Sequence, residues 1–152
     1  MTEIKINQEL EIKSLLSFRG KIKQSDLEII GKDMEVKVQE LGANLIGNLI
    51  TATFGIEGEY IDVELFAPID KHVENIDKYS YKEKLKIVNA VVVSYKGNPS
   101  GLQMACNELN QYIVENKLQP ITVGYNVTKY IESCNLENAE IDVYVGINPN
   151  IL

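Results

Sequence analysis

The chain carries one short segment twice: SFRG at residues 17–20 returns as SYKG at residues 94–97. Two further matches keep the same order, SDL at 25–27 with SGL at 100–102, and IDV at 61–63 with IDV at 141–143. The offsets are 77, 75 and 80 residues. Two copies with so long a period do not make a solenoid, which stacks three or more short units. They predict a duplicated supersecondary unit whose seam is a natural place for a ligand cleft.

Composition limits the class of protein. With 152 residues, 45% of them apolar and 24% charged, the chain is expected to form a single domain over 1–152. A net charge of -7 disfavours nucleic-acid binding, because an acidic surface repels phosphate backbones. No apolar run approaches the ~18 residues of a membrane span, and the N-terminus lacks the apolar core of a signal peptide. We therefore expect a cytoplasmic protein whose Cys106 and Cys134 are reduced.

The first half, about residues 10–69, reads as strand, helix, strand, strand. Ser25 and Glu28 fit a capping box at the start of the helix, in which each side chain satisfies an orphan amide. Apolar residues then recur every three or four positions, which is typical of one face of an amphipathic helix: Leu27, Ile30, Met34, Val38, Leu41 and Leu45. The expected strands are residues 12–23, 49–55 and 59–69, with a hairpin turn at Glu57-Gly58.

The second half, about residues 83–152, repeats this order. Residues 85–96 form a nearly continuous β-branched run, which indicates a strand buried on both faces. Asn98 and Pro99 predict a helix start, with Asn as the cap and Pro in the first turn. Strands are expected at 121–131 and 140–147, joined by a loop at 132–139. The polar segment 70–82 between the halves is the candidate linker, and its His72 is expected to be exposed.

These elements predict an α+β domain. Tandem strand-helix-strand-strand units would form a mostly antiparallel sheet with both main helices on one face. The opposite, concave face would then need a cover, a partner or a ligand.

Four segments together resemble the gyrase-inhibitor-like family, which includes the effector-binding domains of multidrug-responsive transcription activators: YIDVELFAPI at 60–69, IVNAVVVSYKGNPS at 87–100, LQPITVGY at 118–125 and IDVYVGINP at 141–149. The resemblance covers most of the chain and implies the bacterial effector-binding domain fold. It also implies a small-molecule pocket between the repeats, in which an acid of the last strand and aromatic walls receive lipophilic cations. By motif that acid falls on Asp142, and the family's proline falls on Gly146. Since no helix-turn-helix precedes the repeat, we expect a stand-alone member without a DNA-binding region.

Acidic residues alternate with aliphatic ones on two of the expected strands. Asp62 and Glu64 alternate with Ile61, Val63 and Leu65, and this period of two places both acids on one strand face. Asp142 and Tyr144 repeat the arrangement in the second half. If the two faces meet across a cleft, a carboxylate there holds a cation or acts as a base. The alternative is the solvated outer face of an antiparallel sheet.

Aromatic rings supply the second half of a cation site, through their quadrupoles. Phe18 and Tyr95 occupy matching positions of the repeat, with core packing as the alternative role, and Tyr125 is open between core and pocket. The predicted ligand-binding residues are therefore Glu64, Asp142, Tyr144, Tyr125, Tyr95 and Phe18.

Three functions remain open on the sequence. The first is binding of an apolar or cationic small molecule, without a cofactor or a metal, since His72 is the only histidine. The second is a protein-interaction module or homodimer. The third, implied by the resemblance, is a hydrolase of reactive electrophiles in which Glu64 acts with Tyr125 or Tyr144.

Overall fold

The computed structural model describes residues 2–131 and 139–149. Within them, six strands and two helices follow one another in the predicted order, which confirms the α+β class. A 3₁₀ turn precedes each helix, at Gln24–Asp26 and Pro99–Gly101. The elements are β1 (Thr2–Lys23), α1 (Leu27–Glu40), β2 (Ile50–Glu57), β3 (Tyr60–Pro68), β4 (Tyr79–Gly97), α2 (Leu102–Glu115), β5 (Tyr125–Ile131) and β6 (Ala139–Gly146).

Contacts divide the chain into two compact units. The N-terminal unit is Glu11–Lys86, and the C-terminal unit contains residues 2–10 and the described residues from Ile87 onward. In the N-terminal unit β3 lies between β1 and β2, and both pairings are antiparallel. In the C-terminal unit β6 lies between β4 and β5, again antiparallel. The single domain and the pseudo-repeats at 10–69 and 83–152 stay predictions.

The core of the N-terminal unit lies between α1 and one face of its strands. Met34 and Val38 of α1 are buried in one cluster with Val63 and Leu65 of β3. Because side chains alternate along a strand, Glu64 lies on the opposite face. Residues 63–68 are all buried, so β3 is buried on both faces.

The C-terminal unit is built in the same way. Leu109 and Ile113 of α2 share a buried cluster with Val143 and Val145 of β6. In β4 the four residues 90–93 are all buried, so the expected burial on both faces holds for this part of 85–96 and not for its ends, where Val88 is 51% exposed.

A matching backbone irregularity occurs in each unit. Ser14 on β1 and Asn89 on β4 both have a positive φ, of 64° and 53° respectively. The carbonyl of Ser14 accepts a bond from the N–H of Ile69, and that of Asn89 accepts one from Ile147. Ser14 and Asn89 are 75 residues apart, as are the starts of α1 and α2, whereas Ile69 and Ile147 are 78 apart.

This geometry corrects two of the three sequence matches. The match of SDL with SGL has the structural offset of 75, but the matches at 77 and 80 are each displaced by two residues. A slip of two keeps every side chain on its face, so the alternating pattern does not reveal it. Phe18 therefore corresponds to Val93 instead of Tyr95, and Glu64 corresponds to Asp142 instead of Tyr144. The strand pairing agrees, because Glu64 pairs with Arg19 and Asp142 pairs with Ser94. Ser94 lies 75 positions after Arg19.

The two helix starts differ from each other. Asn98 caps as expected, because its side chain accepts a bond of 2.9 Å from the N–H of Ser100. The capping box of Ser25 and Glu28 is wrong, since neither the 3₁₀ turn nor α1 has a side-chain cap. The helical turn begins one residue earlier, at Gln24, which places Ser25 inside it. Glu28 instead pairs with Lys32, one turn along the helix, at 3.3 Å.

Two strands are longer than predicted. β1 begins at Thr2 instead of residue 12, and β4 begins at Tyr79, inside the predicted linker. Charged and polar residues separate the few apolar ones in both extensions, Ile4, Ile6 and Leu10 in the first and Tyr79 and Tyr81 in the second, so the strand signal is weak. Most of the predicted loop at 132–139 lies outside the described residues.

A substitution at Gly42 tests how α1 ends. Its φ of 75° follows α1, and an alanine there is strained in the left-handed region. We expect Gly42→Ala to lower the free energy of unfolding by about 1 kcal/mol in urea titrations. Gly55→Ala is the control, because a Cβ at Gly55 meets nothing within 4 Å and no positive φ applies. An equal loss in both variants would contradict this account.

Candidate functional site

Three polar or charged side chains are buried among the described residues: Ser17, Glu64 and Asp142. The hydroxyl of Ser17 donates to the carbonyl of Ser80 at 3.2 Å, which satisfies it. The two carboxylates are more demanding, because removing an ion from water costs several kcal/mol unless a counter-charge or hydrogen bonds compensate. They lie at equivalent positions on the central strands β3 and β6, and they define the candidate site.

Glu64 holds a cation supplied by its own unit. Its Oε2 lies 2.8 Å from Nζ of Lys82 on β4. The same Nζ lies 5.7 Å from the ring centroid of Phe66, within the ~6 Å range of cation–π attraction. Glu64 and Phe66 are two residues apart and therefore share a strand face. Lys82 thus contacts both an acid and a ring.

Asp142 has a looser counter-ion. Its Oδ2 lies 3.7 Å from Nζ of Lys129 on β5, which is too far for a hydrogen bond, and the Lys129 side chain is 58% exposed. Tyr144 shares the strand face of Asp142, and burial, followed by the charge of Asp142, raises the pKa of its phenol. Tyr125 is the register partner of Tyr144 on β5. Three of the predicted residues are therefore neighbours on one face of the C-terminal unit.

The other two predicted aromatic residues lie on the opposite faces from the acids. Phe18 is buried in the core against α1 and meets the ring of Tyr79 edge-on, with centroids 6.2 Å apart. Tyr95 packs against the core around α2, and its hydroxyl donates to the carbonyl of Asn98. Core packing is the role that the structure gives to both, and a role in ligand contact stays a prediction.

A cleft of about 500 Å³ lies in the C-terminal unit, within the ~300–1,000 Å³ range of small-molecule sites. Asp142 and Tyr95 line it, together with Lys96, Lys129 and Glu140. Lys96 and Glu140 form an ion pair of 3.3 Å. The lining therefore carries both signs of charge beside the buried carboxylate.

Sequence reasoning missed Phe66, Lys82 and Lys129. Phe66 had a local signal, since a residue two positions after Glu64 shares its face. The lysines had none, because each reaches its carboxylate from a different strand.

Other chemical groups do not add to the site. No group of three His, Cys, Asp or Glu in the described part of the chain is arranged to hold a metal. His72 is exposed, as predicted, and its ring lies tilted against that of Tyr81, with 4.3 Å between the centroids. Burial raises the pKa of the Cys106 thiol, and Cys134 lies outside the described residues. Over residues 2–131 and 139–149, neither helix is long and apolar enough to cross a membrane.

Comparison with known proteins gives structural matches alone. No family model matches the chain, and no curated protein does. The C-terminal domain of EcmrR is 15% identical, with a TM-score of 0.76 over 97% of each chain. EcmrR in its complex with DNA is 16% identical with a TM-score of 0.80 over 97% of this chain, which spans 57% of that one.

Two further structures match more distantly. A hydrolase from Listeria innocua is 12% identical, with a TM-score of 0.61 over 97% of this chain and 91% of that one. SAV2435 bound to tetraphenylphosphonium is 10% identical, with a TM-score of 0.54 over 98% and 94%. At such identities the likeness shows the fold, which is that of the EcmrR C-terminal domain.

The environment of Tyr144 predicts a pH effect. A phenol whose pKa is higher in the folded than in the unfolded chain stabilises the fold fully below the unfolded value. That contribution is lost as the pH rises above about 10 toward the folded value. We expect Tyr144→Phe to flatten the fall in urea midpoint between pH 9 and 11. Tyr60→Phe, at a side chain 41% exposed, is the control and should leave the slope unchanged. A slope that is the same with and without the Tyr144 hydroxyl would refute the prediction.

Proposed function

We propose that this protein is a small-molecule-binding domain that takes a lipophilic cation through a buried carboxylate and neighbouring aromatic rings. The observation that carries the proposal is the equivalent burial of Glu64 and Asp142 on the two central strands. A carboxylate removed from water is a strong acceptor for a cation, because the lower local dielectric strengthens their attraction. The resemblance to effector-binding domains supports the same class of function.

Asp142 is the proposed primary contact. Its ion pair with Lys129 is long at 3.7 Å, and that lysine is mostly exposed, so a ligand displaces it at small cost. Asp142 also lines the cleft of about 500 Å³. Tyr144 shares the strand face of Asp142, and its register partner Tyr125 lies beside it on β5, so two aromatic rings lie near the carboxylate.

The ligand class follows from this combination. A carboxylate beside rings favours a cation that is large, weakly hydrated and aromatic, since such an ion loses little hydration and gains apolar contact. Tetraphenylphosphonium, which is bound to SAV2435 in one of the matching structures, is an ion of this kind and serves as the probe.

Calorimetric titration with tetraphenylphosphonium tests the proposal. We expect the native chain to bind it and Asp142→Asn to weaken binding about tenfold, which corresponds to the loss of one charge contact of ~1.4 kcal/mol. Asp62→Asn is the matched control, with the same charge change at a side chain 41% exposed and paired with Arg19. It should change the affinity less than about threefold.

A neutral ligand separates charge from apolar contact. Triphenylphosphine oxide presents similar rings without a cation, so Asp142→Asn should leave its binding unchanged. The proposal fails if the native chain binds neither compound, or if Asp142→Asn and Asp62→Asn weaken tetraphenylphosphonium equally.

A further inference from the structure

The buried acid of the N-terminal unit already has a cation in contact with it. Lys82 Nζ lies 2.8 Å from the Glu64 carboxylate and 5.7 Å from the centre of the Phe66 ring. An acid and a ring around one ammonium are the elements of a cation-binding site. We propose that Glu64 and Phe66 form a second cation site, that Lys82 is its tethered occupant, and that Lys82 thereby excludes external ammonium ligands. The inference rests on the proposed function only for the idea that the chain binds cations at its buried acids.

The burial of the three groups distinguishes a fixed site from its occupant. Glu64 and Phe66 are 8% and 2% exposed, whereas the Lys82 side chain is 45% exposed. The receptor side of the contact is therefore fixed in the protein, and the cation side reaches it on a flexible four-carbon stem. Holding that stem in one rotamer costs entropy, which lowers the net stability of the pair. Truncation of the Lys82 side chain therefore removes the cation and leaves the acid and the ring in place.

The equivalent position in the other unit is arranged differently. Asp142 and Tyr144 correspond to Glu64 and Phe66, but the residue 75 positions before Lys82 is Asn7, which carries no charge. Lys129 approaches Asp142 from β5 at 3.7 Å instead. The close contact of an ammonium with an acid and a ring is thus a feature of the N-terminal unit, and the two units differ in how firmly their acids are occupied.

The shape of the occupant defines the ligand that fits. Beyond Cβ, the lysine side chain is a propylammonium ion. Lys82→Ala therefore removes an n-propylammonium from the site and leaves a buried carboxylate beside a ring. The chemical class that the emptied site accepts is a small primary alkylammonium.

Thermal unfolding of Lys82→Ala with n-propylammonium chloride tests this site. We expect Lys82→Ala to melt lower than the native chain, and millimolar n-propylammonium to recover at least about half of the loss through binding to the folded state. Sodium chloride at equal ionic strength should not. Lys32→Ala is the matched control, because it removes the same charge from an exposed pair with Glu28, at 74% and 80% exposure. Neither Lys32→Ala nor the double variant Glu64→Gln/Lys82→Ala should respond to n-propylammonium.

Each outcome of this experiment either supports or overturns the proposed site. Recovery restricted to Lys82→Ala supports the site. A similar response of Lys82→Ala and Lys32→Ala overturns it, and so does a response that survives Glu64→Gln. If Lys82→Ala folds only when n-propylammonium is present, the proposal is supported. If it stays unfolded with the amine, whether or not the double variant folds, the proposal is overturned.

The result is separate from the proposed function. The rescue uses n-propylammonium on a variant and does not require the native chain to bind tetraphenylphosphonium. Loss of the Asp142 site would leave the rescue intact, and failure of the rescue would leave the Asp142 titration unaffected.

Discussion

Two carboxylates buried on central strands, Glu64 and Asp142, are the constraint on which the rest of the molecule depends. An ionised group in such a place needs a counter-charge, because the surrounding protein replaces few of its hydrogen bonds to water. Lys82 and Lys129 supply that charge from neighbouring strands. A buried ion pair adds little net stability compared with apolar packing, so stability alone does not account for an acid at both positions.

The two units meet this constraint unequally. The ammonium of Lys82 lies at hydrogen-bond distance from Glu64 and over the Phe66 ring, so the charge of Glu64 is compensated within its unit. Asp142 has a lysine that is more distant and mostly exposed, two tyrosines on its strand face and a cleft beside it. Since the two units share one order of elements and one pattern of strand pairing, the difference in chemistry arises from a few side chains on neighbouring strands.

Local sequence patterns predicted much of the fold. The alternation around Glu64 and Asp142 placed each acid on the strand face away from its aliphatic neighbours, and the apolar stripes located α1 and α2. The same alternation concealed the register, because a slip of two residues preserves each face. Matching Phe18 with Tyr95 was such a slip, and the positive-φ residues Ser14 and Asn89 correct it together with the strand pairing. The beginnings of β1 and β4 were not predicted because charged and polar residues separate their few apolar ones.

The sequence by itself determined the order of elements, the duplication signal, the identity of the two acids and the presence of Tyr144 beside Asp142. These are properties of neighbours along one strand or helix, where backbone periodicity fixes which side chains share a face. Only the tertiary structure decided that both acids are buried, that Glu64 corresponds to Asp142, and that Lys82 and Lys129 are their counter-ions. Those facts depend on how separate strands pair, and pairing joins residues that no local pattern connects.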